Sequence, residues 1–318
     1  MNYRFTRRHV LTTTGTLLAT AASSGVDFKA AQVPAQSNVE PFHYCFNTST
    51  IRGQNLPLPQ QIEITARAGY QGIEPWLGHL HEFVETGGSL DDIRKQISDA
   101  GMTVESAIGF ARWIVDDDTE RAQGLKDAER DMRAIKAIGG TRIAAPPVGA
   151  TGAINLDVIA ERYRALLEIG TRLGVIPQLE LWGHSPAIHR LGQLIYVATE
   201  SGHRDACMLP DVYHIFKGGS DFNGLRLIEG KRLHAFHMND YPAEPSRATI
   251  GDQHRVYPGD GIAPLNQILR DLYDTGFRGA LSLELFNREY WQQDPLQVAK
   301  TGLQKMKQVV KTALNSPG

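Results

Sequence analysis

The chain has 318 residues, 42% of them hydrophobic and 21% charged, a composition that supplies a large apolar core and excludes a disordered chain. Its 33 basic and 35 acidic side chains leave a formal charge of −2, which provides no basic field for a polyanion, so we expect no nucleic acid partner. The two cysteines, Cys45 and Cys207, exclude a disulfide framework and a cysteine-rich zinc site.

Residues 1–38 have the pattern of an export signal followed by a polar tether. The first eight residues carry three arginines and no acid, and a short, weakly apolar stretch follows them. The pair Arg7-Arg8 directly before this stretch resembles a twin-arginine signal, which implies export after folding, and we expect the protein in the periplasm. The apolar stretch is shorter than the roughly 20 residues of a membrane-spanning helix, so we expect no membrane span.

Residues 39–318 alternate between short apolar runs and longer amphipathic stretches, which is typical of a parallel sheet with crossover helices. We predict eight strands, at residues 42–46, 72–76, 103–108, 142–146, 176–182, 207–212, 233–239 and 280–286. Asn155 is a cap for one intervening helix, and Gly69 and Gly276 stand where helices end. A doubly wound open sheet would alternate similarly, but the sequence has no G-x-G-x-x-G turn and no P-loop. The order and length therefore predict a single (β/α)8 barrel.

The last four predicted strands each carry one acidic or histidine side chain near the C-terminal end. In a barrel, alternate strand residues point inward, and catalytic groups gather at the C-terminal ends of the strands. In the eighth strand, leucines alternate with Ser282 and Glu284, so we expect Glu284 to face the barrel axis. The same alternation directs Glu180, Asp211 and His237 to the same rim.

These four side chains predict a metal site. Unpaired carboxylates that converge in a buried place repel one another and are costly to desolvate unless a cation lies among them. Three carboxylates and one imidazole suit Mn²⁺, which we expect here as a single ion, with Mg²⁺, Co²⁺ or Zn²⁺ as alternatives.

From Phe42 onward the sequence resembles the xylose-isomerase-like TIM-barrel superfamily, in the branch that contains ketose 3-epimerases, hydroxypyruvate isomerase, inosose dehydratase and endonuclease IV. The residues that carry the resemblance are Glu180 in LELWGH, Asp211 and His214 in DVYH, His237 in HMND, Arg255 in HRVYPGDG and Glu284 in LELFN. The resemblance implies a metal-dependent isomerase or epimerase. Glu180 and Glu284 would bind the metal and move a proton on a carbon beside a carbonyl, through an enediolate. Asp211 and His237 would complete the coordination, and His214 and Arg255 would hold substrate oxygens.

Three other functions are alternatives to an isomerase or epimerase. A lyase on a 3-keto-glycoside or an inosose would expel a β-substituent from the same enolate, and a carbohydrate-binding protein would keep the metal with little turnover. Endonuclease IV has a second metal pair that Asp252-Gln253-His254 resembles. Its trinuclear site also needs histidines where this chain has Trp76 and Phe110 at the ends of the second and third strands, so we do not expect a DNA-repair enzyme.

Aromatic residues near the predicted strand exits suggest a sugar substrate, with loop packing as the alternative. We predict substrate contacts for Trp76, Trp113 and Trp182. Glu74 is a further candidate for binding a substrate hydroxyl, and its alternative is an ion pair with Arg52 or Arg112. The sequence has no strong phosphate cradle, so we expect a small non-phosphorylated sugar or keto-sugar, and a homo-oligomer remains open.

Overall fold

The computed structural model describes residues 40–315, so the predicted export signal and tether lie outside the described residues. Within this range, eight short strands alternate with helices along the chain. The strands are β1 (His43–Asn47), β2 (Gly72–Glu74), β3 (Thr103–Val104), β4 (Arg142–Ala145), β5 (Ile176–Glu180), β6 (Met208–Leu209), β7 (Ala235–Met238) and β8 (Ala280–Leu283).

The helices of residues 40–315 surround these strands and bury apolar faces against them. They are α1 (Leu58–Ala68), α2 (Leu77–Glu85), α3 (Leu90–Asp99), α4 (Asp118–Ala137), α5 (Leu156–Leu173), α6 (Leu191–Glu200), α7 (Val212–Gly218), α8 (Leu265–Asp274) and α9 (Pro295–Asn315). Asn155 caps α5, since its side chain accepts the Asp157 backbone N–H at 2.7 Å. Gly69 ends α1 at a φ of +94°, a conformation that other residues rarely adopt. None of the described helices combines the length and apolarity needed to cross a bilayer.

The strands close into a parallel barrel. β1 pairs with both β2 and β8, and the two hydrogen-bonded sets of strands are β3-β2-β1-β8-β7 and β4-β5-β6. The two sets are joined at both edges into a ring. Between β6 and β7, a parallel bridge links Asp211, just after β6, to His237 of β7. Between β3 and β4, the Ala144 backbone N–H of β4 donates at 2.8 Å to the carbonyl of Ala107, which follows β3. The predicted (β/α)8 barrel is confirmed.

The barrel interior has an apolar layer beneath a polar layer. The apolar layer is a cluster of small and branched side chains, Cys45, Ile108, Ala144, Leu209, Ala235 and Ala280. Two positions further along several of these strands, the next inward side chains are polar, as at Asn47 after Cys45 and Ser282 after Ala280. Because each strand places alternate residues inside, the polar layer lies toward the C-terminal end of the barrel.

Seven of the eight strands end earlier than predicted, and β1 ends one residue later, at Asn47; three of the candidate site residues lie at or just beyond strand ends. Glu180 is the last residue of β5, Glu284 directly follows β8, and Asp211 lies two residues after β6. The Asp211 carboxylate accepts the His214 backbone N–H at 2.7 Å and so caps α7. Since this side chain serves as a helix cap, the strand stops before it.

Candidate active site and metal centre

Three of the four predicted metal ligands form one buried cluster. Asp211, His237 and Glu284 each offer one ligand atom, and these atoms all lie within 4.8 Å of one another. Glu180 adjoins this cluster, with its Oε1 3.8 Å from His237 Nδ1. All four residues are at most 3% exposed. The barrel therefore brings the whole predicted ligand set to one place at its C-terminal end.

Glu74 orients the imidazole of His237. The Glu74 Oε2 atom accepts hydrogen bonds from His237 Nε2 at 3.0 Å, Ser282 Oγ at 2.7 Å and Asn47 Nδ2 at 2.9 Å. Because a carboxylate only accepts, Nε2 carries the donated proton, and Nδ1 is the nitrogen left to bind a metal. Nδ1 faces Glu284 Oε2 at 3.3 Å. Burial opposes the charged form of His237, but Glu284 and Glu74 outweigh it and raise its pKa well above the usual range, so a bound cation would take the place of the proton on Nδ1. A carboxylate behind the outer nitrogen of a histidine is a frequent support for metal ligation.

The prediction that Glu74 contacts substrate is wrong. Its side chain is 0% exposed, and its Oε2 is used by His237, Ser282 and Asn47. The predicted alternative, an ion pair with Arg52 or Arg112, is also absent from the described contacts of Glu74. The guanidinium carbon of Arg52 lies 4.4 Å from the ring centroid of Trp76, and Arg112 pairs with Glu120 at 2.8 Å.

The cluster fits a divalent cation. Two of its buried polar atoms, Glu180 Oε2 and His237 Nδ1, have no hydrogen-bond partner among the described residues. A buried polar atom without a partner costs about 1–3 kcal/mol. The four buried carboxylates of Glu74, Glu180, Asp211 and Glu284 also outnumber the two cationic groups buried among them, Arg255 and His237. A divalent cation would engage both free atoms and offset the excess negative charge, and carboxylate with imidazole is a donor set that such ions accept.

Arg255 lies against the same carboxylates. Its Nη1 donates to Asp211 Oδ2 at 3.0 Å and to Glu284 Oε2 at 2.7 Å, while its Nη2 donates to Asp252 Oδ1 at 2.6 Å. Asp252, whose sequence neighbourhood resembles an endonuclease metal pair, is therefore an anchor for the arginine in this structure. The guanidinium is held where it would meet an oxygen of a molecule bound at the cluster.

His214 lies beside Arg255 and accepts a hydrogen bond from its guanidinium. Burial, reinforced by Arg255, lowers the pKa of His214 well below its usual range, so the ring is neutral and has one acceptor nitrogen. Arg255 Nη2, which can only donate, lies 3.0 Å from His214 Nε2 and so makes Nε2 that acceptor, while His214 Nδ1 lies 3.2 Å from the Gly183 backbone N. The two Nη2 hydrogens of Arg255 are therefore used by His214 and Asp252. Arg255 Nε has no partner among the described residues and is the donor left for a substrate oxygen.

The two candidate catalytic glutamates have opposite pKa shifts. Burial raises the pKa of Glu180 to about 8, and attraction to His237 offsets this only in part. Burial also opposes the charged form of Glu284, but His237 and Arg255 outweigh it and lower the pKa of Glu284 to about 2. A cation among these carboxylates would lower the pKa of Glu180 as well. Two carboxyl groups whose environments separate their pKa values suit acid and base roles.

Trp76 and Trp182 lie at the mouth of the site and are partly exposed, as a substrate contact requires. Phe110 joins them, with ring centroids 5.1 Å from Trp76 and 6.3 Å from Trp182. Phe110 is 42% exposed, and the sequence analysis did not include it among the substrate-binding residues. Phe110 could have been identified from the sequence, because it lies two residues after the inward-facing Ile108, beyond the third strand.

The prediction that Trp113 contacts substrate is wrong. Trp113 is 1% exposed, its ring centroid lies 6.0 Å from that of Tyr163 on α5, and its indole N–H donates to the Pro146 carbonyl at 2.8 Å. The loop after the third strand thus turns this side chain back into the core between strands and helices. Burying a large apolar ring stabilises that arrangement, and its polar atom is satisfied there.

Asn47, the last residue of β1, is a site residue that the sequence analysis missed. Its Nδ2 donates to Glu74 Oε2 at 2.9 Å and to Glu284 Oε1 at 3.1 Å, and its Oδ1 accepts from Trp76 Nε1 at 3.1 Å. One amide therefore connects a candidate catalytic carboxylate, the support of His237 and the mouth. The rule applied to the last four strands, a polar inward residue at the strand end, would have found it in the first strand.

Comparison with known proteins agrees with this fold and relates it to enzymes. The inosose isomerase of Bacillus velezensis is 25% identical over 272 residues, which cover 84% of this chain and 96% of that protein. The 3-dehydroshikimate dehydratase of Pseudomonas aeruginosa is 24% identical over 237 residues, which cover 72% of this chain and 36% of that protein. Epimerases are also among the similar curated proteins and solved structures.

A crystal structure of the IOLI protein with a bound zinc atom has a TM-score of 0.80 and 23% identity to this chain, and it covers 86% of this chain and 100% of that one. At this identity the likeness concerns the fold. Residues 62–309 match the family model described as a xylose isomerase-like TIM barrel, which spans most of the described barrel. The chain therefore belongs to the xylose isomerase-like TIM barrel family.

Proposed function

We propose that this chain is a divalent-metal-dependent isomerase or epimerase that moves a proton on the carbon beside a carbonyl of a non-phosphorylated sugar or keto-sugar. The observation that carries the proposal is the convergence of Glu180 and Glu284 on one imidazole nitrogen. Glu180 Oε1 and Glu284 Oε2 lie 3.8 and 3.3 Å from His237 Nδ1. Two carboxylates at one buried point supply both an acceptor and a donor for a proton.

Glu180, Asp211, His237 and Glu284 would hold the metal, for which we propose Mn²⁺, with Zn²⁺ as the first alternative because a structure of similar fold binds it. When bound, such an ion stabilises negative charge on the substrate oxygens as the neighbouring carbon loses its proton. Glu284 is suited to accept that proton, since His237 and Arg255 outweigh its burial and keep it ionised. A proton returned from Glu180, whose pKa burial raises to about 8, to the other face would give an epimer.

Arg255, with His214 beside it, would hold the oxygen that gains charge. Arg255 Nε has no partner among the described residues and is the donor available to that oxygen. Arg255 Nη2 donates to His214 Nε2 at 3.0 Å and to Asp252 Oδ1 at 2.6 Å, and these two bonds keep the guanidinium in position. A cation fixed in this way stabilises negative charge that develops beside it.

The test is deuterium exchange. Purified protein with Mn²⁺ is incubated in D₂O with a panel of ketoses, inososes and keto-glycosides, and incorporation beside the carbonyl is measured by NMR. We expect exchange that EDTA abolishes and that Glu180→Gln slows by about 10²- to 10⁴-fold. Glu63→Gln, an exposed glutamate of α1 paired with Arg67, is the matched control and should exchange at the wild-type rate. Absence of exchange with every member of the panel would refute the proposal.

The dehydratase relatives support a second candidate, a lyase that uses the same proton abstraction and then expels a β-substituent. In the same incubation, a lyase would release water or an aglycone and form an unsaturated product without an epimer. Product NMR therefore separates the two reactions. Sugar binding that Glu180→Gln preserves, with no turnover by the wild-type protein, would indicate a carbohydrate-binding protein instead.

A further inference from the structure

Four aromatic side chains form a continuous surface along one side of the site's mouth. Phe286, Trp76, Phe110 and Trp182 follow one another with centroid separations of 5.9, 5.1 and 6.3 Å, and we call them the aromatic wall. Each is partly exposed, and Phe110 is among the most exposed large hydrophobic residues of the described chain at 42%. Connected apolar surface of this kind marks a place where a ligand or partner binds.

The two ends of the aromatic wall connect to the polar side of the same opening. At one end, the guanidinium carbon of Arg255 lies 5.1 Å from the Phe286 ring centroid. At the other end, the His184 ring lies 5.2 Å from Trp182 and 5.7 Å from His214. Since His214 in turn contacts Arg255, these contacts close into a ring. The opening is therefore apolar on one side and carries the polar side chains of Arg255, His214 and His184 on the other.

The aromatic wall adjoins the candidate catalytic carboxylate. Trp76 Nε1 donates to Asn47 Oδ1 at 3.1 Å, and Asn47 Nδ2 donates to Glu284 Oε1 at 3.1 Å. One side chain thus separates the wall from the position where the proton would move. A molecule that reacts there and extends toward solvent meets the wall.

The wall is poorly suited to hydroxyl groups. Phe110 and Phe286 have no hydrogen-bonding atoms, and the indole N–H of Trp76 is already used by Asn47. One aromatic ring is enough to cover the apolar face of one sugar ring, whereas four successive rings extend further than a monosaccharide. Hydroxyls of a free sugar that faced Phe110 and Phe286 would lose water there without gaining partners.

We propose that the substrate is a keto-sugar glycoside whose aglycone is apolar or aromatic. The aglycone lies against the aromatic wall, while the sugar oxygens face Arg255 and His214. This inference rests on the proposed function for the position of the reacting sugar, and it adds the chemical class of the group attached to it. Phe110 is the specificity-determining residue, since it is the exposed centre of the wall and contacts no candidate metal ligand.

The test compares ligands that differ only in the aglycone. Phenyl and methyl β-glucosides and β-galactosides, which lack the keto group and cannot react, are titrated into the Mn²⁺-supplemented protein by calorimetry. Stacking and burial of a phenyl group predict that at least one phenyl glycoside binds about 10-fold more tightly than its methyl partner. Phe110→Ala should reduce this preference to about 2-fold or less and leave methyl glycoside binding unchanged. Tyr273→Ala on α8, at 40% exposure, is the matched control and should keep the full preference.

Equal affinity for phenyl and methyl glycosides, or no measurable binding of either, would overturn the inference. Equal weakening of both ligands by Phe110→Ala would also overturn it, since the wall would then hold the sugar. Deuterium exchange is measured on the same preparations. A phenyl preference without exchange counts against the proposed function alone, and exchange without a phenyl preference counts against the aglycone alone.

Discussion

Glu74 accepts the Nε2–H of His237 across 3.0 Å, and both side chains are fully buried. This contact decides which imidazole nitrogen faces the cluster of Asp211, Glu180 and Glu284. Glu74 lies on β2, with β1 and β8 between it and β7, and 163 positions earlier in the sequence, yet it determines the orientation of the candidate metal ligand His237.

Replacing Glu74 should weaken metal binding while the barrel remains folded. In Glu74→Gln, the amide cannot accept from His237, Ser282 and Asn47 as the carboxylate does, so His237 loses its fixed orientation. We expect Mn²⁺ affinity to fall by about 10- to 100-fold, measured by competition with a chelating dye. Ser282→Ala removes one supporting donor and keeps the His237 contact, so it should cause a smaller loss. Equal affinity in Glu74→Gln and wild type would contradict this role.

Metal binding should stabilise the folded chain. An ion that binds only the folded state adds about 2.7 kcal/mol at a free concentration 100 times its Kd. We expect the midpoint temperature of thermal unfolding to rise when Mn²⁺ or Zn²⁺ is added and to fall back to the metal-free value when EDTA removes the ion. In His237→Gln, which removes the Nδ1 ligand, the shift should disappear. If His237→Gln kept the full metal-induced shift in unfolding temperature, the ion would bind elsewhere.

Trp113 and Trp182 should differ strongly in their contribution to stability. Trp113 is buried against Tyr163, so Trp113→Ala leaves a cavity and an unpaired Pro146 carbonyl, and we expect a loss of about 3–5 kcal/mol. Trp182→Ala removes a partly exposed ring of the aromatic wall and should cost about 1 kcal/mol or less. Urea unfolding of both variants measures the difference. Similar losses would mean that Trp182 also belongs to the core.

His234, which lies between Arg142 and Arg232 at the N-terminal end of the barrel, should make stability depend on pH. Burial, together with these two cations, lowers its pKa to about 4. The unfolded chain, with an ordinary histidine pKa of about 6.5, binds a proton that the folded chain excludes between these values. Stability from this group is therefore present above about pH 6.5 and is lost as the pH falls toward about 4.

The variant His234→Asn should lose less stability than wild type between pH 7 and pH 4.5, as measured by urea unfolding. Identical slopes for His234→Asn and wild type would show that this histidine is not the source.

The arginine pair near the N-terminus should direct export. Replacing both residues, Arg7→Lys with Arg8→Lys, should retain the protein inside the cell, because twin-arginine signals depend on the guanidinium pair. Fractionation of a bacterial host with an active twin-arginine pathway measures the outcome. Arg4→Lys, which leaves the pair intact, is the matched control. Unchanged export of the double variant would assign the segment to another route.

The inward direction of the candidate ligands followed from the sequence because a strand has a period of two. Leucines alternate with Ser282 and Glu284 in the eighth strand, and the structure places Ser282 inside against Glu74 and Glu284 beside His237. The same reasoning assigned Glu180, Asp211 and His237 to one rim. Strand lengths were overestimated, since side chains such as Asp211 cap the next helix instead of continuing the strand.

The alternation of apolar and polar residues did not predict how deeply a side chain is buried or which residues it contacts. Alternation assigns Glu74 to the interior, but it does not reveal that this residue lies behind His237 instead of in the mouth. Trp113 and Phe110 both follow the third strand in sequence. Trp113 is buried in the core, whereas Phe110 is exposed in the aromatic wall. These outcomes depend on strand stagger and on the path of each loop.

By itself, the sequence determined the eight-unit barrel, the rim that carries the acidic and histidine side chains, and the chemical character of that rim. Only the tertiary structure decided that Asn47 and Glu74 support the cluster, that Arg255 and His214 share one space, and that four aromatic rings join into a wall. The physical reason is that periodicity is local along the chain, whereas depth and contact arise when strands close into a ring and bring residues of distant strands together.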